Sequence, residues 1–92
     1  MISAEVIKGV KELLEERGVA QRSGERFGDF VARGLGISAA QAETLLESVH
    51  EGHTVEEALQ AAGLTSEQVN RDLLTQVARA IGAALGRVTP KS

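Results

Sequence analysis

The apolar residues of this chain recur at the spacing of amphipathic helices, and no segment shows the alternation that is typical of a strand. The first predicted helix begins after Ser3 as N-cap and ends at Gly18. Its apolar positions follow the i, i+3, i+4, i+7 spacing of one buried stripe. They are Val6, Ile7, Val10, Leu13 and Leu14.

The second predicted helix is short and rich in glycine. Ser23 is its predicted N-cap, and Gly34-Leu35-Gly36 is where we expect it to stop. Phe27, Phe30 and Val31 form its apolar face. These two phenylalanines are the only aromatic residues of the chain, so the core must consist mainly of Leu, Val, Ile and Ala.

Two capping boxes mark the starts of the third and fourth helices. Ser38 with Gln41 opens the third, and Thr54 with Glu57 opens the fourth. Each helix is predicted to end at a glycine, and these glycines are Gly52 and Gly63.

A fifth helix is predicted to run from near Thr65, with Gln68 three residues further on, to about Gly86. At roughly 20 residues it would be about 30 Å long. The sequence therefore predicts an all-α bundle of four to five helices in one domain, residues 1–88, whose long C-terminal helix packs across the others. Residues 89–92 are expected to be a frayed tail.

Composition removes several classes of function. The chain of 92 residues has no cysteine, which excludes disulfides, thiolate nucleophiles and metal sites built on cysteine. The sequence also has neither a secretory-type start nor an apolar run of about 20 residues that could cross a bilayer. We therefore expect a cytoplasmic protein with no membrane contact.

Catalytic and metal-binding patterns are equally scarce. His50 and His53, with Glu47 before them, have the spacing of a metal site on a continuous helix, but Gly52 interrupts that helix. We interpret the histidines as a solvated helix end. Adjacent carboxylates point in different directions on a helix, and no nucleophile elbow or phosphate loop is present. The prediction is a protein that is not an enzyme and has no cofactor or metal.

The last helix instead offers a face for another helix. Ala78, Gly82 and Gly86 are spaced by four and leave a strip without bulky side chains. This strip packs either within the chain or against a partner, which is another protein or a second copy. The accompanying apolar contacts are Leu74, Val77, Ile81 and Val88, and Phe27 and Phe30 form a second candidate patch. A protein-interaction module is the first functional prediction.

The alternative is DNA binding by residues 54–74, which have the outline of a helix-turn-helix. Gln68, Asn70 and Arg71 would contact nucleic acid. The charge opposes this interpretation, because the stretch from Ser38 to Asn70 has six glutamates and no Lys or Arg. Nucleic acid is therefore the weaker of the two partners.

One motif resembles a known family. Gly24-Glu25-Arg26-Phe27-Gly28-Asp29-Phe30, followed by Arg33 and Gly34, resembles the C-terminal tail of the sirohaem-dependent sulfite and nitrite reductases, and the resemblance covers residues 4–36. In that family the tail is a peripheral helical appendage, while cysteines elsewhere hold the cofactors. The resemblance implies a third function, an accessory module of such a reductase, and transfers no cofactor-binding residue.

Overall fold

Five α-helices form the secondary structure of residues 4–86, the part of the chain that the computed structural model describes. They are α1 Ala4–Glu16, α2 Phe27–Leu35, α3 Ala39–His50, α4 Val55–Ala61 and α5 Arg71–Ala84. No strand occurs in these residues, so the all-α prediction is confirmed. The predicted cap Ser3 lies outside the described residues. No helix between residues 4 and 86 is both long enough and apolar enough to cross a membrane.

The two capping boxes are present as predicted. The Ser38 hydroxyl accepts a hydrogen bond from the Gln41 backbone N–H at 3.2 Å, and the Gln41 side chain accepts one from the Ser38 N–H at 3.1 Å. Thr54 and Glu57 repeat this exchange at 3.1 and 2.9 Å. Each pair satisfies two backbone donors that the helix itself leaves free.

The predicted start of α2 is wrong. Its N-cap is Arg26 rather than Ser23, because Ser23 lies within a turn in which the Glu25 N–H donates to the Arg22 carbonyl at 3.0 Å. Gly24 follows with φ of +78°, a conformation that cannot continue into a right-handed helix. The end of α2 is confirmed at Gly36, which has φ of +76°.

The predicted start of the fifth helix is also wrong. The Gln68 side chain does accept from the Thr65 N–H at 2.8 Å, but this pair closes only a turn. α5 begins six residues later, where the Asn70 side chain accepts from the Leu73 N–H at 3.2 Å. The Asn70 N–H is in turn directed at the Leu35 carbonyl of α2 at 3.4 Å, and Val69 is buried beside it. The described helix therefore has 14 residues instead of about 20.

One apolar core joins all five helices. α3 packs against α2, α4 and α5, while α1 packs against α5 and α2. The largest fully buried side chains are Phe30, Leu14, Leu45, Leu74 and Ile81. α1 approaches its neighbours at two glycines. A Cβ on Gly34 of α2 would lie 2.8 Å from Leu14 Cδ2, and a Cβ on Gly9 of α1 would lie 4.0 Å from the Ala80 carbonyl oxygen.

Candidate docking groove

An open groove of about 780 Å³ lies where α1, α2 and α3 meet. Its lining combines apolar, acidic and basic side chains. The lining residues are Ile7, Arg26, Phe27, Gly28, Glu43, Leu46, Glu47, His50 and Glu51. We call this feature the docking groove. Phe27 and His50 are the lining residues whose side chains the sequence analysis had considered for binding, together with Glu47.

The apolar part of the docking groove is built around Phe27. This residue opens α2, and its ring lies 6.4 Å from the ring of Phe30 at an interplanar angle of 60°. Phe30, one turn further, points into the core and is fully buried, whereas Phe27 is only half-buried. Ile7 of α1 is likewise partly exposed. Two large apolar side chains of the groove are therefore partly exposed to solvent, and another molecule can cover them.

The acidic wall of the docking groove comes from one face of α3 and from Glu51, the C-cap residue that follows this helix. Glu43, Glu47 and Glu51 are spaced by four residues, so they form a row about 12 Å long. All three are exposed, and none takes part in an ion pair within residues 4–86. We call them the groove glutamates. Among the described residues, 4–86, Arg26 is the one Lys or Arg that lines the groove, so three carboxylates stand against one guanidinium there.

Gly28 of α2 lies against the Glu43 side chain of the acidic wall. A Cβ on Gly28 would lie 3.0 Å from Glu43 Cγ and 3.2 Å from Glu43 Oε1. Because glycine has no side chain, the Glu43 carboxylate arm can lie directly against the start of α2.

A salt bridge fixes the connection that leads into the docking groove. Arg33 Nη2 donates to Glu25 Oε1 at 2.7 Å, and Arg33 Nε donates to Glu25 Oε2 at 3.1 Å. The same guanidinium donates to the Ala20 carbonyl at 2.6 Å and lies 6.0 Å from the Phe30 ring. Glu25 also accepts from the Arg22 N–H at 3.0 Å. This clamp ties residues 20–25 to α2 directly before Arg26 and Phe27.

The clamp predicts a pH-dependent stability. The hydrogen bonds from Arg33 and then from the Arg22 backbone lower the pKa of Glu25 from 4.5 to about 2. Because the folded-state pKa is depressed, the stabilisation is complete above about 4.5 and is lost as the pH falls towards about 2. We therefore expect the melting temperature of the native chain to exceed that of the Glu25→Gln variant near neutral pH, and the difference to shrink steadily through this window.

The control for this prediction is Glu12→Gln, which removes an exposed carboxylate that has no part in the clamp. Thermal melts followed by circular dichroism across the pH range give both differences. A gap between native chain and Glu25→Gln that stays constant from neutral pH to about pH 2 would show that ionised Glu25 does not stabilise the fold.

The predicted interface on the last helix is largely covered by the chain itself. Leu74, Val77 and Ile81 are buried in the core together with Phe30. Ala78 and Gly82 are half-buried, and Gly86 is exposed in the turn after α5. A Cβ on Gly82 would meet no atom of residues 4–86 within 4 Å, so none of the described helices requires a glycine at this position. Where α1 faces α5, a Cβ on Gly9 would meet the Ala80 carbonyl oxygen at an ordinary 4.0 Å. Val88 lies outside the described residues.

The three polar residues predicted to contact DNA have structural partners within the chain. Gln68 bonds the Thr65 backbone, Asn70 caps α5, and Arg71 forms an ion pair with Glu56 of α4. The connection between α4 and α5 has nine residues, 62–70, whereas the turn of a helix-turn-helix has three or four. The only cation of that unit is therefore paired, and its two helices lack the usual spacing.

The two histidines do not form a metal site with neighbouring carboxylates. His50 lines the docking groove, whereas His53 lies beyond α3 with its Nδ1 3.7 Å from Glu57 Oε1. Within residues 4–86 no group of three or more His, Cys, Asp or Glu side chains is placed to hold a metal ion.

No protein-family model, curated protein or solved structure matches this chain. The resemblance of residues 4–36 to the tail of the sirohaem reductases therefore stays a prediction. The motif residues that carry this resemblance have structural roles in this fold. Gly24 forms the turn, and Glu25 and Arg33 form the clamp. Gly28 lies against α3, and Gly34 lies against α1.

The groove glutamates were not predicted from the sequence as a group. Their spacing by four residues was a usable signal, since it places them on one face of any helix that contains them. What the spacing could not reveal is that this face lies beside Phe27 and Ile7, because that depends on how α1 and α2 pack against α3.

Proposed function

We propose that this chain is a non-catalytic protein-interaction module whose partner binds in the docking groove. The observation that supports this proposal best is the position of Phe27. A chain with only two aromatic residues buries one of them, Phe30, and leaves the other half-exposed in an open groove. Aromatic side chains in a concave surface are the usual anchors of protein interfaces.

The proposed interface is the docking groove and not the face of α5. Leu74, Val77 and Ile81 are needed by the core of a single copy, so a partner that used them would have to compete with that core. A partner in the docking groove does not have to displace core contacts, because Phe27 and Ile7 are already accessible. An accessory role beside a sirohaem reductase is one version of this function, and such a reductase belongs among the partners tested.

Affinity capture with matched variants tests the proposal. The tagged native chain, two groove variants and one α5 variant are incubated with a lysate of the source organism and washed at low and then moderate salt. Phe27→Ala and Ile7→Gln alter the docking groove, while Gly82→Leu alters the predicted strip on α5, where an added side chain has room. Circular dichroism of each variant establishes that it is folded, and a captured polypeptide is then purified and its affinity for each variant measured.

We expect a polypeptide that survives the moderate-salt wash on the native chain and on Gly82→Leu, and whose purified form binds both groove variants at least about tenfold more weakly. Loss of binding with Gly82→Leu alone would place the interface on α5 and overturn the groove proposal. Retention of nucleic acid in place of any polypeptide would overturn it as well, since salt-sensitive binding of that kind belongs to the DNA-binding alternative.

A further inference from the structure

We infer that the docking groove takes a cationic amphipathic helix, with an apolar face against Phe27 and Ile7 and Lys or Arg side chains opposite the groove glutamates. This inference rests on the proposed function and adds the chemistry of the partner. It follows from the charge of the groove, from the spacing of that charge and from its position beside an apolar surface.

The charge of the docking groove selects for a basic partner. The groove glutamates are exposed and form no ion pair within the described part of the chain, residues 4–86. By contrast, Glu25 and Glu56 each hold an arginine of the same chain. A concave surface in which one sign of charge predominates beside apolar walls concentrates its field, so it attracts an oppositely charged partner and repels acidic ones.

The spacing of the groove glutamates favours a helix as the partner. They repeat once per turn of α3, about 6 Å apart along its axis. A second helix lying alongside α3 presents residues at i, i+4 and i+8 with the same repeat, so each carboxylate can face one cation. The apolar side chains of that helix occupy other positions, on the adjacent face, and recur at the three- and four-residue spacing of an amphipathic helix, so that they point towards Phe27 and Ile7.

Removal of the Arg26 charge tests whether electrostatic attraction contributes to binding in the groove. It lines the same groove, is exposed, and caps α2 through its backbone only, with no side-chain hydrogen bond at the cap. A cation here opposes the binding of a basic helix without serving the fold. The Arg26→Gln variant should therefore bind a cationic helix more tightly than the native chain does, by about two- to threefold at low salt.

The experiment uses three synthetic peptides of about four helical turns with one shared apolar pattern. The flanking positions are Lys in the first peptide, Gln in the second and Glu in the third. Titration of the isotope-labelled full chain, followed by NMR, reports which backbone amides each peptide perturbs and with what affinity. We expect the Lys peptide to perturb the amides lining the docking groove and to bind about tenfold more tightly than the Gln peptide at low salt, with the advantage falling at high salt.

Two triple variants make the test specific. Replacing all three groove glutamates by glutamine should abolish the preference for the Lys peptide, so that the Lys and Gln peptides bind this variant with about equal affinity. Replacing Glu12, Glu15 and Glu16 by glutamine removes the same charge from exposed positions of α1 outside the groove lining and should leave most of the preference intact. Equal losses in the two triple variants would mean that net charge, and not the groove, selects the peptide, and would overturn the inference.

The remaining outcomes separate this inference from the proposed function. If the Gln peptide binds in the groove as tightly as the Lys peptide, the groove is a docking site but the partner is not selected by charge, so only the inference fails. If the Lys peptide perturbs amides of α5 and none in the groove, the inference and the groove proposal fail together. If the Glu peptide binds more tightly than the Lys peptide, the groove selects negative charge, and a cationic partner is excluded.

Discussion

Phe30→Ala is expected to lower the free energy of unfolding by about 3–5 kcal/mol, the largest loss that a single truncation should cause in this chain. Phe30 is the largest of the fully buried side chains, and it contacts a core to which all five helices contribute. Total stability for 92 residues is about 5–14 kcal/mol. The variant would therefore lose a large share of its stability, and its transition in urea should move to much lower denaturant.

Phe27→Ala is the matched control, because it removes the same side chain one helical turn earlier. Phe27 is half-buried, so the expected loss is about 1 kcal/mol. If Phe30→Ala is too unstable to purify, Phe30→Leu, with an expected loss of about 1–2 kcal/mol, is compared with Phe27→Leu, for which the loss should be smaller because Phe27 is half-buried. Equal losses for Phe27→Ala and Phe30→Ala in urea melts would contradict the assignment of one phenylalanine to the core and the other to the groove.

Helix starts could be predicted from the sequence where a short motif satisfies its own backbone groups. Ser38 with Gln41 and Thr54 with Glu57 are such motifs, and both start helices in the structure. Thr65 with Gln68 has the same spacing and forms one of the same hydrogen bonds, yet no helix follows. The difference is tertiary: burial of Val69 and the approach of Asn70 to Leu35 direct the chain away before α5 begins.

The candidate site was predictable only in fragments. The exposed face of Glu43, Glu47 and Glu51 follows from helical spacing, and the pairing of Phe27 with Phe30 follows from their separation by three residues. The docking groove itself depends on how α1, α2 and α3 pack together, which places Gly28 against the Glu43 side chain. A glycine can form a turn, end a helix or allow two helices to pack closely, and the sequence alone does not distinguish among these roles.

Gly34→Ala is expected to destabilise the fold by about 1–2 kcal/mol, although alanine is the better helix former by up to about 1 kcal/mol. The added Cβ would lie 2.8 Å from Leu14 Cδ2, and Leu14 is fully buried between neighbours that restrict its movement. Gly9→Ala is the control, since its Cβ would meet only the Ala80 carbonyl oxygen at an ordinary 4.0 Å. There the helix-forming advantage of alanine is unopposed, so stability in urea should stay level or rise.

A double-mutant cycle with Leu14→Ala identifies the cause of that loss. Leu14→Ala alone should cost about 2–5 kcal/mol, because it leaves a cavity between α1 and α2. In that background the methyl group of Gly34→Ala no longer meets Cδ2 and fills part of the vacated space. We therefore expect the second substitution to be neutral or stabilising there, with a coupling energy of about 1–3 kcal/mol. If Gly34→Ala costs the same in both backgrounds, backbone strain or the unfolded state must explain the loss, and close packing of α1 on α2 is not what requires glycine at this position.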